Sequence, residues 1–392
     1  MTEIGALRAA TAELDPPFGV IDQAALDRNA DDLVRRAAGK PIRIASKSIR
    51  IRDVLADTLA RPGFSGLLCY TLPEALWLLG NGFRDLVVGY PTVHRAGIAQ
   101  LAEEEAAAAE IVLMVDDVAQ LDLIDAVRPP SRRSTIRVCL ELDAGYRSGP
   151  IKIGAMRSPL RTPGAAAAFA RVIAARPGFE LVGMMAYESQ IAGVGNTGAG
   201  VRPRIVRAMQ KRSAAELLER RADVVAAVRA VADLEFVNGG GTGSLETTTA
   251  EDAVTELAAG SGLVGPGLFD HYGAFRPDPA MYFVMSLVRR PSHAVATMLG
   301  GGWVASGPIG ADRLPVIADP PGLKYVDLEG PGEVQTPLRG RGARKLQVGQ
   351  QIWLRHAKAG EPSEHLNEFQ VVADARIART VSTYRGDGQA FL

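Results

Sequence analysis

Ile42-Arg43-Ile44-Ala45-Ser46-Lys47-Ser48-Ile49-Arg50 opens on a short apolar run, Ile42 to Ala45 interrupted by Arg43, that gives out before a lysine. Apolar residues on both sides of the pleat suit a strand buried on both faces, not one with a wet side. The same texture returns at 66–70, 85–90, 111–116, 135–143, 181–187 and 236–239, and more weakly at 255–264. Helix-like stretches separate these runs, at 72–80, 95–105, 118–127, 164–175 and 203–232. Strands that alternate with helices build a parallel sheet, and eight such units predict an α/β chain of the (β/α)8 TIM-barrel type. A doubly wound open sheet permits the same alternation and is the runner-up.

After about residue 272 the texture changes. Pro and Gly punctuate short β-branched or aromatic runs at 283–288, 293–298, 315–317, 351–355, 369–372 and 377–383. This predicts a β-rich second domain. We therefore divide the chain into a barrel, residues 1–274, and a β-rich domain, residues 275–392. A strand at 19–22 and a helix at 23–37 precede the barrel, and the first eighteen or so residues are expected to pack on the second domain.

At 392 residues the chain is too long for one ordinary core, which fits that division. Lys plus Arg and Asp plus Glu both number 44. With no net charge there is no global field to hold nucleic acid or an acidic membrane surface. No apolar run is long enough to span a bilayer, and the N-terminus has no signal-peptide pattern. Cys69 and Cys139 each sit in an apolar run without metal-type spacing, so we expect reduced thiols and a cytoplasmic protein.

Three segments carry chemistry. Lys47 stands where a barrel strand runs out, and strand C-termini form the active face of such barrels. Among apolar neighbours its amine is expected to lose hydration and become a nucleophile toward a carbonyl. Val237-Asn238-Gly239-Gly240-Gly241-Thr242-Gly243-Ser244 follows the seventh strand, where barrels commonly bind phosphate. Its glycines let N–H groups converge, and its hydroxyls add donors. Leu142-Asp143-Ala144-Gly145-Tyr146-Arg147 ends the fifth strand, and Arg147 could hold a carboxylate or phenolate bidentately.

In this order and spacing these segments, with Met184-Met185-Ala186-Tyr187-Glu188, resemble the alanine-racemase-like (fold type III) pyridoxal-phosphate enzymes. The match is closest to the D-threonine aldolase and D-serine dehydratase branch, amino acid deaminase/aldolases, and covers nearly the whole chain. The resemblance implies pyridoxal 5′-phosphate bound to Lys47 as a Schiff base. It implies Gly240, Gly241 and Thr242 around the phosphate, with Tyr272 as a further donor. It also implies Arg147 near the cofactor's phenolic oxygen and the substrate carboxylate, Tyr187 at the cofactor's edge, and a homodimer.

That branch carries a His-x-Asp or His-x-Cys pair that holds a divalent metal. Here the segment reads Arg355-His356-Ala357-Lys358-Ala359-Gly360-Glu361. On a regular strand His356 and Lys358 would share a face and both enter the pocket. Lysine repels a cation, so either the Lys358 ammonium takes the metal's place, which we favour, or Glu361, Glu364 and His365 supply ligands beside His356. In a third reading, His356 and Lys358 only line a rim.

The implied activity is a lyase reaction on an amino-acid substrate, a β-hydroxy D-amino acid, by retro-aldol cleavage or by dehydration. Lys47, His356 and Lys358 are the candidate catalytic residues. A racemase would need a second base, for which Tyr282, Tyr325 and Tyr384 are candidates. A non-catalytic cofactor carrier is the remaining alternative, although such barrels lack a β domain.

Overall fold

The computed structural model describes residues 3–392, and in it the eight expected strands close into a barrel. β1 (Phe18–Asp22) precedes it, followed by β2 (Ile42–Ala45), β3 (Phe64–Cys69), β4 (Leu86–Val88), β5 (Ile111–Val115) and β6 (Ile136–Glu141). A small hairpin, β7 (Tyr146–Ser148) and β8 (Ile151–Ile153), interrupts the series. Then come β9 (Phe179–Ala186), β10 (Phe236–Gly239) and β11 (Glu256–Ala259). Neighbours pair in parallel, and β11 returns to β2 with Leu257 opposite Ile42, which rules out the open sheet.

Period two sends alternate side chains inward, where Leu68, Val87, Val112, Cys139, Val182 and Phe236 belong to one buried cluster. Arg43 is buried as well, in a bidentate pair with Glu256 at 2.7 and 2.9 Å and with Asp85 at 2.8 Å. A buried guanidinium persists only when paired this completely.

The second body is a nine-stranded sheet. It contains β12 (Met281–Ser292), β13 (Val295–Leu299), β14 (Val316–Asp319), β15 (Lys324–Tyr325), β16 (Gln335–Arg339), β17 (Gln351–Arg355), β18 (Glu368–Ala373) and β19 (Arg376–Ser382). β1 completes it, antiparallel to β12 and parallel to β18. Phe18 on β1 meets the Trp353 ring edge-on at 6.3 Å within this sheet's own apolar cluster. β15 and β16 were not expected from the sequence. β15 has two residues, and β16 contains Pro337, which ordinarily argues against a strand. No helix among the described residues is long and apolar enough to cross a membrane.

Candidate active site

β2 ends at Ala45 and the chain turns tightly through Ser46–Ser48, so Lys47 stands just past a strand's C-terminal end. Ser46 donates to the Leu68 carbonyl at 3.1 Å, and Arg50 Nε donates to the Lys47 carbonyl at 2.9 Å, which pins the turn. The Lys47 side chain is exposed, contrary to the expected loss of hydration. It borders an open chamber of about 620 Å³ walled by Tyr70, Thr71, Pro73, Tyr90 and Phe391, so water reaches it. Its Nζ donates to the Tyr90 hydroxyl at 2.5 Å.

Inward of Lys47 lies a tighter cavity of about 110 Å³, lined by Tyr90, Glu141, Arg157, Tyr187, residues 240–243 and Ser261. Gly240 has φ of +85°, the left-handed region where glycine is at ease. A Cβ on Gly243 would lie 2.2 Å from the Ala192 carbonyl oxygen, so only glycine fits there. Among the described residues, the N–H groups of Thr242 and Gly243 have no acceptor within the chain. The Thr242 hydroxyl accepts from the Gly262 N–H at 3.0 Å, and Ser261 Oγ donates to it at 3.2 Å. An N–H-rich concavity beside a lysine suits a phosphate-bearing carbonyl compound such as pyridoxal phosphate. Tyr187 joins this wall, its phenol pushed up to about 12 by burial and the neighbouring Glu188 charge.

The glycine loop is anchored by a buried carboxylate absent from our candidate residues. Glu188 accepts from Arg221 at 2.8 Å, from Ser244 Oγ at 2.8 Å, from the Gly240 N–H at 3.3 Å and from Thr248. Arg221 also pairs with the buried Glu251 at 2.8 Å. A signal for it did exist. Leu217, Arg221, Val224 and Val228 fall at helical spacing on the buried face of the long helix Val201–Arg229, so a charge occupies a core position.

Several expected site residues lie elsewhere. Arg147 sits on the β7–β8 hairpin, where its exposed guanidinium donates to Asp143 at 2.8 Å; it does not line the cavity. The arginine that does is Arg157, which the chain brings back after the hairpin. Tyr272 is buried, and its hydroxyl donates to the Ala192 carbonyl at 2.9 Å instead of pointing at a phosphate.

His356 and Lys358 do not share a face. β17 stops at Arg355 and the following residues bend, so strand alternation does not extend to Lys358. His356 is buried in the protein, while Lys358 lines an outer cavity with Lys47, Arg157, Ser306, Glu361 and His365. Lys358 Nζ donates weakly to Ser306 Oγ at 3.3 Å, and burial lowers its pKa. Burial holds the Glu361 carboxyl up at about 8, so it is protonated at neutral pH. The Lys358 ammonium is no metal ligand, whereas His356, whose two ring nitrogens are buried without a hydrogen-bond partner, has lone pairs of the kind a divalent metal takes. Among the described residues no group of three or more His, Cys, Asp or Glu gathers around one point.

Burial, and then the Arg355 charge, lower His356 from its ordinary 6.5 to about 3, opposed only by the Met281 backbone. The unfolded chain therefore takes up this proton at a higher pH than the folded one. The contribution to stability is complete above pH 6.5 and is lost as pH falls from 6.5 toward 3. Urea unfolding at pH 7.5 and pH 5 should differ less in His356→Leu than in the parent. Equal differences would assign the acid sensitivity to other groups.

The family described as alanine racemase, N-terminal domain, matches residues 21–268. A 3-hydroxy-D-aspartate aldolase from Paracoccus denitrificans is 26% identical over 263 residues, which cover 64% of this chain and 60% of that protein. The match thus spans less than two thirds of that relative's length. Among solved structures, a D-threonine aldolase from Filomicrobium marinum superposes with a TM-score of 0.79 at 22% identity, covering 97% of each chain. A D-threo-3-hydroxyaspartate dehydratase from Delftia sp. HT23 gives 0.73 at 21% identity, over 95% of this chain and 98% of that one. These likenesses extend the shared fold over both the barrel and the β-rich sheet.

Proposed function

The chain belongs to the alanine racemase N-terminal domain family, and on that premise we propose that it is a pyridoxal-phosphate-dependent lyase acting on a β-hydroxy D-amino acid. The reaction is retro-aldol cleavage or dehydration, the two activities borne by the aldolases and the dehydratase it resembles. One observation carries the reading: Lys47 and the glycine loop face one cavity at the C-terminal end of a closed barrel.

When bound, the cofactor supplies an electron sink for whichever Cα bond breaks. Lys47 would hold the cofactor through its amine, and in the dehydration that amine would be the base for the Cα proton. Thr242 and Gly243 would hold the phosphate through their N–H groups, with Gly240 and Gly241 giving the loop its close approach. Tyr187 packs along the cofactor's edge. Arg157 takes the part that the resemblance implies for Arg147. Lys358, which lines the outer cavity with Lys47, would stabilise a developing alkoxide or a leaving hydroxyl by its charge.

Incubation with D-threonine, D-serine and D-3-hydroxyaspartate, following aldehyde, keto acid and enantiomer, tests this reading. Absence of product from every hydroxy amino acid would overturn it. Lys358→Met should lower kcat by roughly 10²–10³-fold while leaving cofactor absorbance intact, the usual loss on removing one electrostatic donor. Unchanged kcat would remove Lys358 from the chemistry.

A racemase would need a second base at the cavity. Tyr325 donates to the Pro315 carbonyl at 2.8 Å, Tyr384 donates to Glu74 at 3.0 Å, and Tyr282 is buried in the sheet; none of the three lines the cavity. The non-catalytic alternative leaves the nine-stranded sheet without a purpose. We place the domain division near residue 274. We also read the protein as a cytoplasmic homodimer, with a second copy covering the apolar chamber beside Lys47, where Val93 and Leu392 stand exposed.

A further inference from the structure

Lys47 must be an unprotonated amine when it attacks a carbonyl, yet an ordinary lysine near pH 7 is almost wholly ammonium. No covering layer surrounds the Lys47 side chain, which is exposed. Nor does a carboxylate pair with Lys47 among the described residues. The hydrogen-bond partner of its Nζ is the Tyr90 hydroxyl at 2.5 Å. Nζ lies 5.2 Å from the ring centroid, so it meets the oxygen and not the ring face.

The chain is built to hold Tyr90 there. Gly89 lies so close to β3 that a Cβ on it would sit 2.7 Å from Leu68 Cδ1. Pro91 follows, which restricts the backbone of Tyr90. Tyr90 forms a wall of both the inner cavity and the outer chamber, and Lys47 is exposed to both.

We propose that Tyr90 is the proton partner of Lys47, sharing one proton with its amine and setting when that amine is free to bond a carbonyl. The proposal rests on reading Lys47 as the carbonyl-bonding lysine. The pair passes between ammonium with phenolate and amine with phenol, at constant total charge. In the second form the Nζ lone pair forms a bond to the carbonyl carbon. Tyr90 returns its proton to the carbonyl oxygen, a second proton follows from nitrogen, the carbon–oxygen bond breaks and water leaves. Phenolate remains, ready for the next exchange.

The groups facing Tyr90 support this. Burial raises its pKa, but Lys47 and Arg157, whose Cζ is 5.7 Å from the ring, outweigh it and bring it below the ordinary phenol value. Glu141 opposes them weakly, and Tyr187 and Lys358 are the other titrating neighbours.

The test is the rate at which the visible band appears when full-length protein freed of cofactor is mixed with pyridoxal phosphate, from pH 6 to 10. In Tyr90→Phe the rate at pH 7 should fall by roughly 10²-fold, within the range of general acid–base effects, and recover as the pH rises. The final amount bound at pH 10 should equal that of the parent. An unchanged rate profile would overturn the proposal. So would failure of Tyr90→Phe to bind at any pH, because that assigns the hydroxyl to packing. If the parent itself forms no band, the reading of Lys47 fails, which is a separate outcome.

Discussion

Lys47→Ala protein mixed with pyridoxal phosphate will show no visible band and no turnover of any β-hydroxy D-amino acid. The loss is expected to be complete because, among the described residues, no other lysine lines the inner cavity. Lys358, the other lysine of the outer cavity, is absent from the inner cavity that holds the glycine loop. Lys47 itself lines both. Covalent catalysis by a single amine leaves no partial route. Stability should barely change, because the side chain is exposed and its one hydrogen bond goes to Tyr90. A Lys47→Ala protein that still forms the band would move the cofactor bond to another residue.

The second large effect is structural. Arg221→Leu leaves Glu188 and Glu251 buried, 1% and 5% exposed, without their shared cation. Stranding buried charge costs about 3–5 kcal/mol, a large share of an ordinary protein's total stability. Glu188 would have to protonate, which weakens it as an acceptor, or pull away, which removes the acceptor of Ser244 and the Gly240 N–H. Weak cofactor binding should therefore accompany the lower urea midpoint. Adding Glu188→Gln and Glu251→Gln to Arg221→Leu should restore part of the midpoint, because the cost lies in unpaired charge and not in lost volume. A loss below about 1 kcal/mol in Arg221→Leu would mean that the network is wet.

The barrel was legible because its strands are buried on both faces, and nearly unbroken apolar runs such as Ile111–Val115 follow from that burial. The place of Lys47 just past a strand end was legible because it terminates such a run. Arg147 misled because a hairpin of two three-residue strands is too short to show a period. That hairpin carries Arg147 outward and returns the chain so that Arg157 reaches the cavity. His356 misled for a related reason. Strand alternation holds only while the strand lasts, and β17 ends one residue earlier. Gly360, at φ of +96°, then folds the chain back against the Lys47 carbonyl, where a Cβ would lie 2.4 Å away. Tyr90 and Arg221 depend on partners distant in sequence, and no local pattern pairs Tyr90 with Lys47 or Arg221 with Glu188.

β1 lies between β12 and β18, whose first residues come 259 and 346 positions after its last. A ribosome adding about 5–20 residues per second delivers β18 on the order of tens of seconds after β1. Throughout that interval β1, carrying Phe18, Val20 and Ile21, is an unpaired apolar edge on a nascent chain whose barrel is already assembling. Synthesis thus sets an order: the barrel can condense first, and the sheet can close only at the end. The interval before closure is when a chaperone would be needed most.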